Sequence, residues 1–102
     1  MSSIKIRANA EGDVITVKAL ISHPMETGSR KDPAGKPIPA HFIQEVTCVC
    51  NGTAVLKAQW GAAISKNPYL SFRFTGGKAG DTLKLSWADN MGQTDSAETQ
   101  IK

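Results

Sequence analysis

Apolar and polar residues alternate one for one along most of this chain, the period that puts successive side chains on opposite faces of a β-strand. Ser3–Ala8 carries Ile4 and Ile6 on one face. After the turn Glu11-Gly12-Asp13, Val14–Ile21 sets Ile15, Val17, Ala19 and Ile21 against Thr16 and Lys18. Phe42–Cys50 groups Phe42, Val46, Cys48 and Cys50. Asn51-Gly52 follows, the pair suited to a two-residue type I′ hairpin because both residues tolerate positive φ. Thr53–Trp60 is then the returning strand. Tyr69–Phe74 turns Leu70, Phe72 and Phe74 inward, Leu83, Leu85 and Trp87 mark the next strand, and Gln93–Ile101 is the last. The pattern predicts an all-β fold, an immunoglobulin-like antiparallel β-sandwich of about seven strands, as a single domain over residues 1–102. A small barrel is the alternative. The predicted core includes Phe42, Leu56, Trp60, Leu70, Phe72 and Phe74.

One stretch breaks the alternation. Ser22–Pro39 holds four of the five prolines, and proline lacks the donor a sheet ladder needs. A loop of this length without its own structure is usually functional or disordered. Pro24, Pro33, Pro37 and Pro39 stiffen it, and Met25 and Ile38 give it apolar contact points, so it reads either as a binding surface or as a plain crossing from one sheet to the other. Tyr69 faces away from Leu70 and Phe72 and is expected at the surface, where tyrosine suits an interface.

Composition adds little beyond this. Of the 102 residues, 40% are hydrophobic and 21% charged, ordinary for a globular domain. The net charge of +3 is carried by cations dispersed along the sequence, among them Lys5, Arg7, Lys18, Lys57, Arg73 and Lys84, which argues against a nucleic-acid partner. No apolar run reaches the roughly 18 residues of a membrane span. The alternating start Ile4-Lys5-Ile6-Arg7 does not read as a signal peptide, which leaves as expectations the cytoplasm or export by a route that the chain does not itself encode.

Candidate chemistry is thin. Cys48 and Cys50 share a strand face, roughly 6.5–7 Å apart, at the upper limit for a disulfide. They read as core residues, with a thiol redox protein as the alternative function. His23 and His41 with the two thiols match no zinc spacing and read as loop residues bonded to local backbone. No nucleophile elbow is present, and Gly76-Gly77-Lys78-Ala79-Gly80 lacks the helix that a phosphate loop needs. No catalytic residue, cofactor or metal is assigned, and the chain reads as a non-enzyme.

Longer strings carry a resemblance. Ile21-Ser22-His23-Pro24-Met25-Glu26-Thr27-Gly28, Arg30-Lys31-Asp32, Ile38-Pro39-Ala40-His41-Phe42-Ile43 and Asn67-Pro68-Tyr69-Leu70-Ser71-Phe72 resemble the SoxZ family, as do Gly76–Asp81, Trp87, Asp89 and Asp95–Glu98. Cys48-Val49-Cys50 is not a feature of that family. The resemblance implies a non-catalytic subunit of the SoxYZ sulfur carrier of thiosulfate oxidation. Its partner SoxY bears the sulfur intermediates on a cysteine of a flexible C-terminal arm and presents them to other Sox proteins. It also implies the periplasm, by export together with SoxY. The partner-binding residues expected on this reading are His23, Pro24, Met25, Glu26, Ile38, Phe42, Tyr69 and Leu70. In the partner's absence an uncovered apolar face would favour a homodimer.

Overall fold

Seven strands are present in a computed structural model of the chain, in which residues 3–61 and 64–102 are described. They are β1 (Ile4–Glu11), β2 (Val14–Ile21), β3 (Ile43–Cys50), β4 (Thr53–Gln59), β5 (Tyr69–Thr75), β6 (Thr82–Asp89) and β7 (Thr94–Gln100). All neighbours are antiparallel, in a three-stranded sheet β1-β2-β5 and a four-stranded sheet β4-β3-β6-β7. This is the immunoglobulin-like sandwich that the alternation predicts. Asn51 and Gly52 both take positive φ, 49° and 84°, as the hairpin turn requires.

The strands lie close to their predicted places, with one change of phase. Phe42 is half-buried, whereas Ile43 is fully buried on the same face as Val46, Cys48 and Cys50. Strict alternation cannot put residues 43 and 46 on one side. The register slips between Ile43 and Glu45, so Gln44 is an extra residue that flips the phase. β1 also runs to Glu11, three residues beyond the predicted Ala8.

The core sits between the sheets around Ile15, Val17, Ile21, Ile43, Val46, Cys48, Leu83, Leu85 and Ile101, all essentially inaccessible. Besides Ile6 and Phe42, five more predicted core residues are only half-buried: Leu56 and Trp60 at β4, and Leu70, Phe72 and Phe74 on β5. They line one long side of the sandwich, and the two sides differ. Beside β1, the backbone of Ala10 donates to Lys102 O at 2.7 Å and Lys102 N–H donates to Ala8 O at 3.0 Å. Ser3 there donates to Asp95 of β7 through its backbone and its hydroxyl, both at 2.7 Å. Between β4 and β5, no hydrogen bond joins the strands among the described residues. The sandwich is laced on one side and open on the other.

The proline-rich segment is not structureless. It folds back on itself as an arm, with bridges Glu26↔His41 and Lys31↔Pro37. Glu26 N–H donates to His41 O (2.6 Å), His41 N–H to Glu26 O (2.9 Å) and Ile38 N–H to Arg30 O (2.8 Å). Asp32 shapes the tip, its Oδ1 accepting from the backbone of Ala34 and Lys36, each at 2.9 Å. Proline forbids a continuous ladder, so the two limbs pair only where a donor remains. The long axis of the chain is 53 Å and the radius of gyration 15.4 Å, against about 13 Å for a round domain of this size.

Candidate functional site

The arm begins at His23, at the end of β2, and returns at His41, just before β3. Both ends are tied to the turn that follows β6. Asp89 closes β6, and its side chain is fully buried. Its Oδ2 accepts from Nε2 of His23 at 3.1 Å and from Nε2 of His41 at 2.8 Å. Its Oδ1 accepts from the backbone of Met91 at 3.0 Å and of Gln93 at 2.9 Å. The neighbouring Asn90 accepts from Phe42 N–H and donates to Ala40 O, each at 2.8 Å. Asn67 holds the other limb, its Oδ1 accepting His23 N–H at 3.0 Å. Its own N–H donates to His23 O, also at 3.0 Å.

Protonation follows from this bonding. Met25 N–H donates to Nδ1 of His23 at 3.1 Å, so that nitrogen keeps a free lone pair and the ring proton lies on Nε2, aimed at Asp89. An ionised carboxylate only accepts, so Nε2 of His41 carries a proton too. Burial pushes the Asp89 carboxyl up, but the bonds from His23, the Gln93 backbone, His41 and the Met91 backbone outweigh it and hold the group below the usual carboxylate range. Trp87 packs edge-on against His23, with ring centroids 5.1 Å apart.

One ring nitrogen of each histidine and a carboxylate oxygen of Asp89 lie within 4.8 Å of one another, a donor set of the kind zinc takes. The hydrogen bonds do not fit a metal. Coordination at Nε2 of His23 would move its ring proton to Nδ1, against the Met25 N–H that now donates there. The trio is built to hold protons and to clamp the base of the arm. Addition of Zn²⁺ or of EDTA is therefore expected to leave the melting temperature unchanged. A rise with zinc that Asp89→Ala removes would overturn this reading.

The residues expected at an interface divide into two groups. His23 and Met25 are buried, 4% and 5% exposed, so neither is surface available to a partner. Met25 instead plugs the arm into the core, with positive φ (48°) and its Sδ accepting Ile43 N–H at 3.4 Å. His23 and His41 bond to a carboxylate far along the sequence, not merely to local backbone. Pro24 is exposed, Glu26, Ile38, Phe42 and Leu70 are half-buried, and Tyr69 is 61% exposed as anticipated. Asp89, Asn90 and Asn67 carry no signal in a one-dimensional pattern beyond turn propensity.

The cysteines lie elsewhere, on the inner face of β3, and both are free. Burial and the neighbouring Cys50 push the Cys48 thiol up to about 12. Burial and then Asp81 push the Cys50 thiol up as well. Thiolate is the nucleophile in redox chemistry, so both environments oppose it. A chromogenic disulfide at pH 8 is expected to label neither cysteine in the folded chain and both in denaturant; fast labelling of the native chain would restore the redox alternative.

The family model described as "Sulphur oxidation protein SoxZ" matches residues 4–100. The chain belongs to the SoxZ family. Membership ties it to the sulfur oxidation system and accounts for the likeness of the arm and of the Asn67–Phe72 segment. No curated protein matches the chain. Several solved structures share this chain's fold. A superoxide reductase (neelaredoxin) from Archaeoglobus fulgidus superimposes with TM-score 0.69 at 19% identity, covering 99% of this chain and 88% of that one. The hypothetical protein PH1083 from Pyrococcus horikoshii gives 0.67 at 19% identity, covering 97% and 87%. Superoxide reductase from Nanoarchaeum equitans gives 0.67 at 14% identity, covering 97% and 91%. Likeness at such identities speaks of the sandwich alone.

Proposed function

We infer that this chain is the non-catalytic half of the SoxYZ sulfur carrier: it forms a heterodimer with SoxY and supports presentation of the sulfur intermediates bound to SoxY's cysteine. The carrying observation is the open side of the sandwich. Leu56, Trp60, Leu70, Phe72 and Phe74 stand half-covered between two edge strands that do not bond to each other. Apolar residues left partly in water beside unpaired strand edges are what a permanent partner covers. The clamped arm adjoins this side through Phe42, whose backbone is fixed by Asn90 and which shares a shallow cleft with Gln44 and Trp60. Pro24, Glu26, Ile38 and Tyr69 extend the same surface in this reading, while His23 and Met25 hold the arm in shape behind it.

The reading supplies no reactive group from this chain, in keeping with the buried, protonated thiols. The complex acts in the periplasm, the chain being exported together with SoxY. Co-expression with SoxY tests the proposal. The two chains are expected to co-purify as a 1:1 complex that feeds thiosulfate oxidation, with the aromatic side chains of the open side protected. Separate elution of the two chains, or sulfur-compound turnover by this chain alone, would refute it.

A further inference from the structure

The three-stranded sheet turns its outer face to solvent, and the register lays that face out as a grid. Across β1, β2 and β5 its rows are Lys5–Leu20–Tyr69, Arg7–Lys18–Ser71, Asn9–Thr16–Arg73 and Glu11–Val14–Thr75. Cations dispersed in sequence thus gather on one surface. Lys18 sits at the centre, with Arg7 directly opposite and Lys5 and Arg73 on its diagonals. Direct neighbours of this kind lie about 5 Å apart at their Cβ atoms, and like charges so placed are destabilising. The one carboxylate of the grid, Glu11, stands in its outermost row, and none of these four cations makes an ion pair among the described residues, where the sole Lys/Arg pair is Arg30–Glu26 in the arm. The outer face of the other sheet is balanced, with Lys57 and Lys84 set against Glu45 and Glu98.

We propose that this cationic face is a second docking surface, which receives the acidic surface of a protein that the carrier complex visits transiently. The proposal rests on the docking reading above but concerns a different face. Charged side chains are depleted from the centre of lasting interfaces, whereas complementary charge accelerates encounter and allows release. A face that tolerates its own repulsion suits repeated visits, and the open apolar side suits the permanent partner. Leu20, 41% exposed, lies directly opposite Lys5 and two residues from Lys18 on the same strand face, and gives the contact an apolar anchor. That mixture favours a protein over a nucleic acid, which would ask for phosphate contacts along the whole face.

The test uses the co-expressed complex of this chain with SoxY as substrate for the thiosulfate-oxidising Sox enzymes, with turnover measured against complex concentration. Arg7→Glu/Lys18→Glu keeps two like charges opposed, so folding should be little changed. It is compared with Lys57→Glu/Lys78→Glu, which alters net charge equally. Raising NaCl from about 0.02 to about 0.3 M shortens the screening length several-fold. KM for the wild-type complex is expected to rise about tenfold with salt, and about tenfold in Arg7→Glu/Lys18→Glu at low salt, with kcat unchanged. The control pair should move it less than about twofold by the same argument. Equal shifts in the two pairs, or no salt dependence, would overturn the proposal. If Arg7→Glu/Lys18→Glu no longer co-purifies with SoxY, the face belongs to the permanent interface and the transient assignment falls. Should wild-type chains fail to co-purify, the docking reading itself fails, and the face is then read on the isolated chain with poly-L-glutamate and a DNA duplex. Loss of polyglutamate binding in the same pair alone supports an acidic protein partner; preferential, reversal-sensitive DNA binding overturns it.

Discussion

Asp89→Asn is expected to destabilise the chain almost as much as Asp89→Ala, although asparagine keeps the shape. All four groups that meet the carboxylate are donors: Nε2 of His23, Nε2 of His41, and the backbone of Met91 and Gln93. A carboxamide offers one accepting oxygen and one donating nitrogen, so either orientation sets donor against donor at a buried site. Hydrogen bonds to a charged acceptor are worth about 1.5–3 kcal/mol each, and a loss of about 2–3 kcal/mol overall is the expected outcome. For a domain of this size that lowers the melting temperature by about 10–20 °C. The same substitution should flatten the acid limb of stability. The Asp89 carboxyl is depressed in the folded chain, so the unfolded chain takes up its proton first as pH falls. Its stabilisation is present in full above the ordinary value of about 3.9 and is lost as the pH falls through the depressed folded value. Asp95, also depressed by the bonds from Ser3, keeps part of the acid dependence in the variant. Urea titrations from pH 7 to pH 2 check both points. An Asn variant as stable as wild type would show that the clamp does not hold the arm.

Trp60→Ala is expected to weaken association with SoxY by about 30-fold or more, equivalent to about 2 kcal/mol, the range of a buried aromatic anchor. Trp60 follows the end of β4 on the open side and is half-covered in the isolated chain. Only the covered part of the ring contributes to folding, so the stability cost should stay near 1 kcal/mol. Calorimetric titration well below the melting transition separates the two effects. Unchanged affinity with a folded variant would remove the open side from the interface and leave the arm and Tyr69 to carry it.

Much of this was legible in the alternation. Each predicted strand exists, because a period of two permits only one kind of element and a half-buried strand demands it. The Asn51-Gly52 hairpin was readable from two residues, since a turn is a local problem. The core was readable only by type. Leu56, Trp60, Leu70, Phe72 and Phe74 have core chemistry, yet lie half-open because the β4 and β5 edges do not meet. Pattern says that a residue wants cover; it does not say whether the chain itself or a partner provides it. The Gln44 bulge escaped for a related reason, as a single extra residue leaves no mark except a shift of phase.

The strands, their turns, the family and the poverty of reactive groups were all legible in one dimension, because each depends on neighbours within a few residues or on whole strings read together. Tertiary structure decided the rest. It brought Asp89 to His23 and His41 across 66 and 48 residues, buried Met25 under the arm, and gathered Lys5, Arg7, Lys18 and Arg73 on one face. These groupings depend on which strands pair and in what register, and pairing is set by the burial of the whole apolar face rather than by any local stretch.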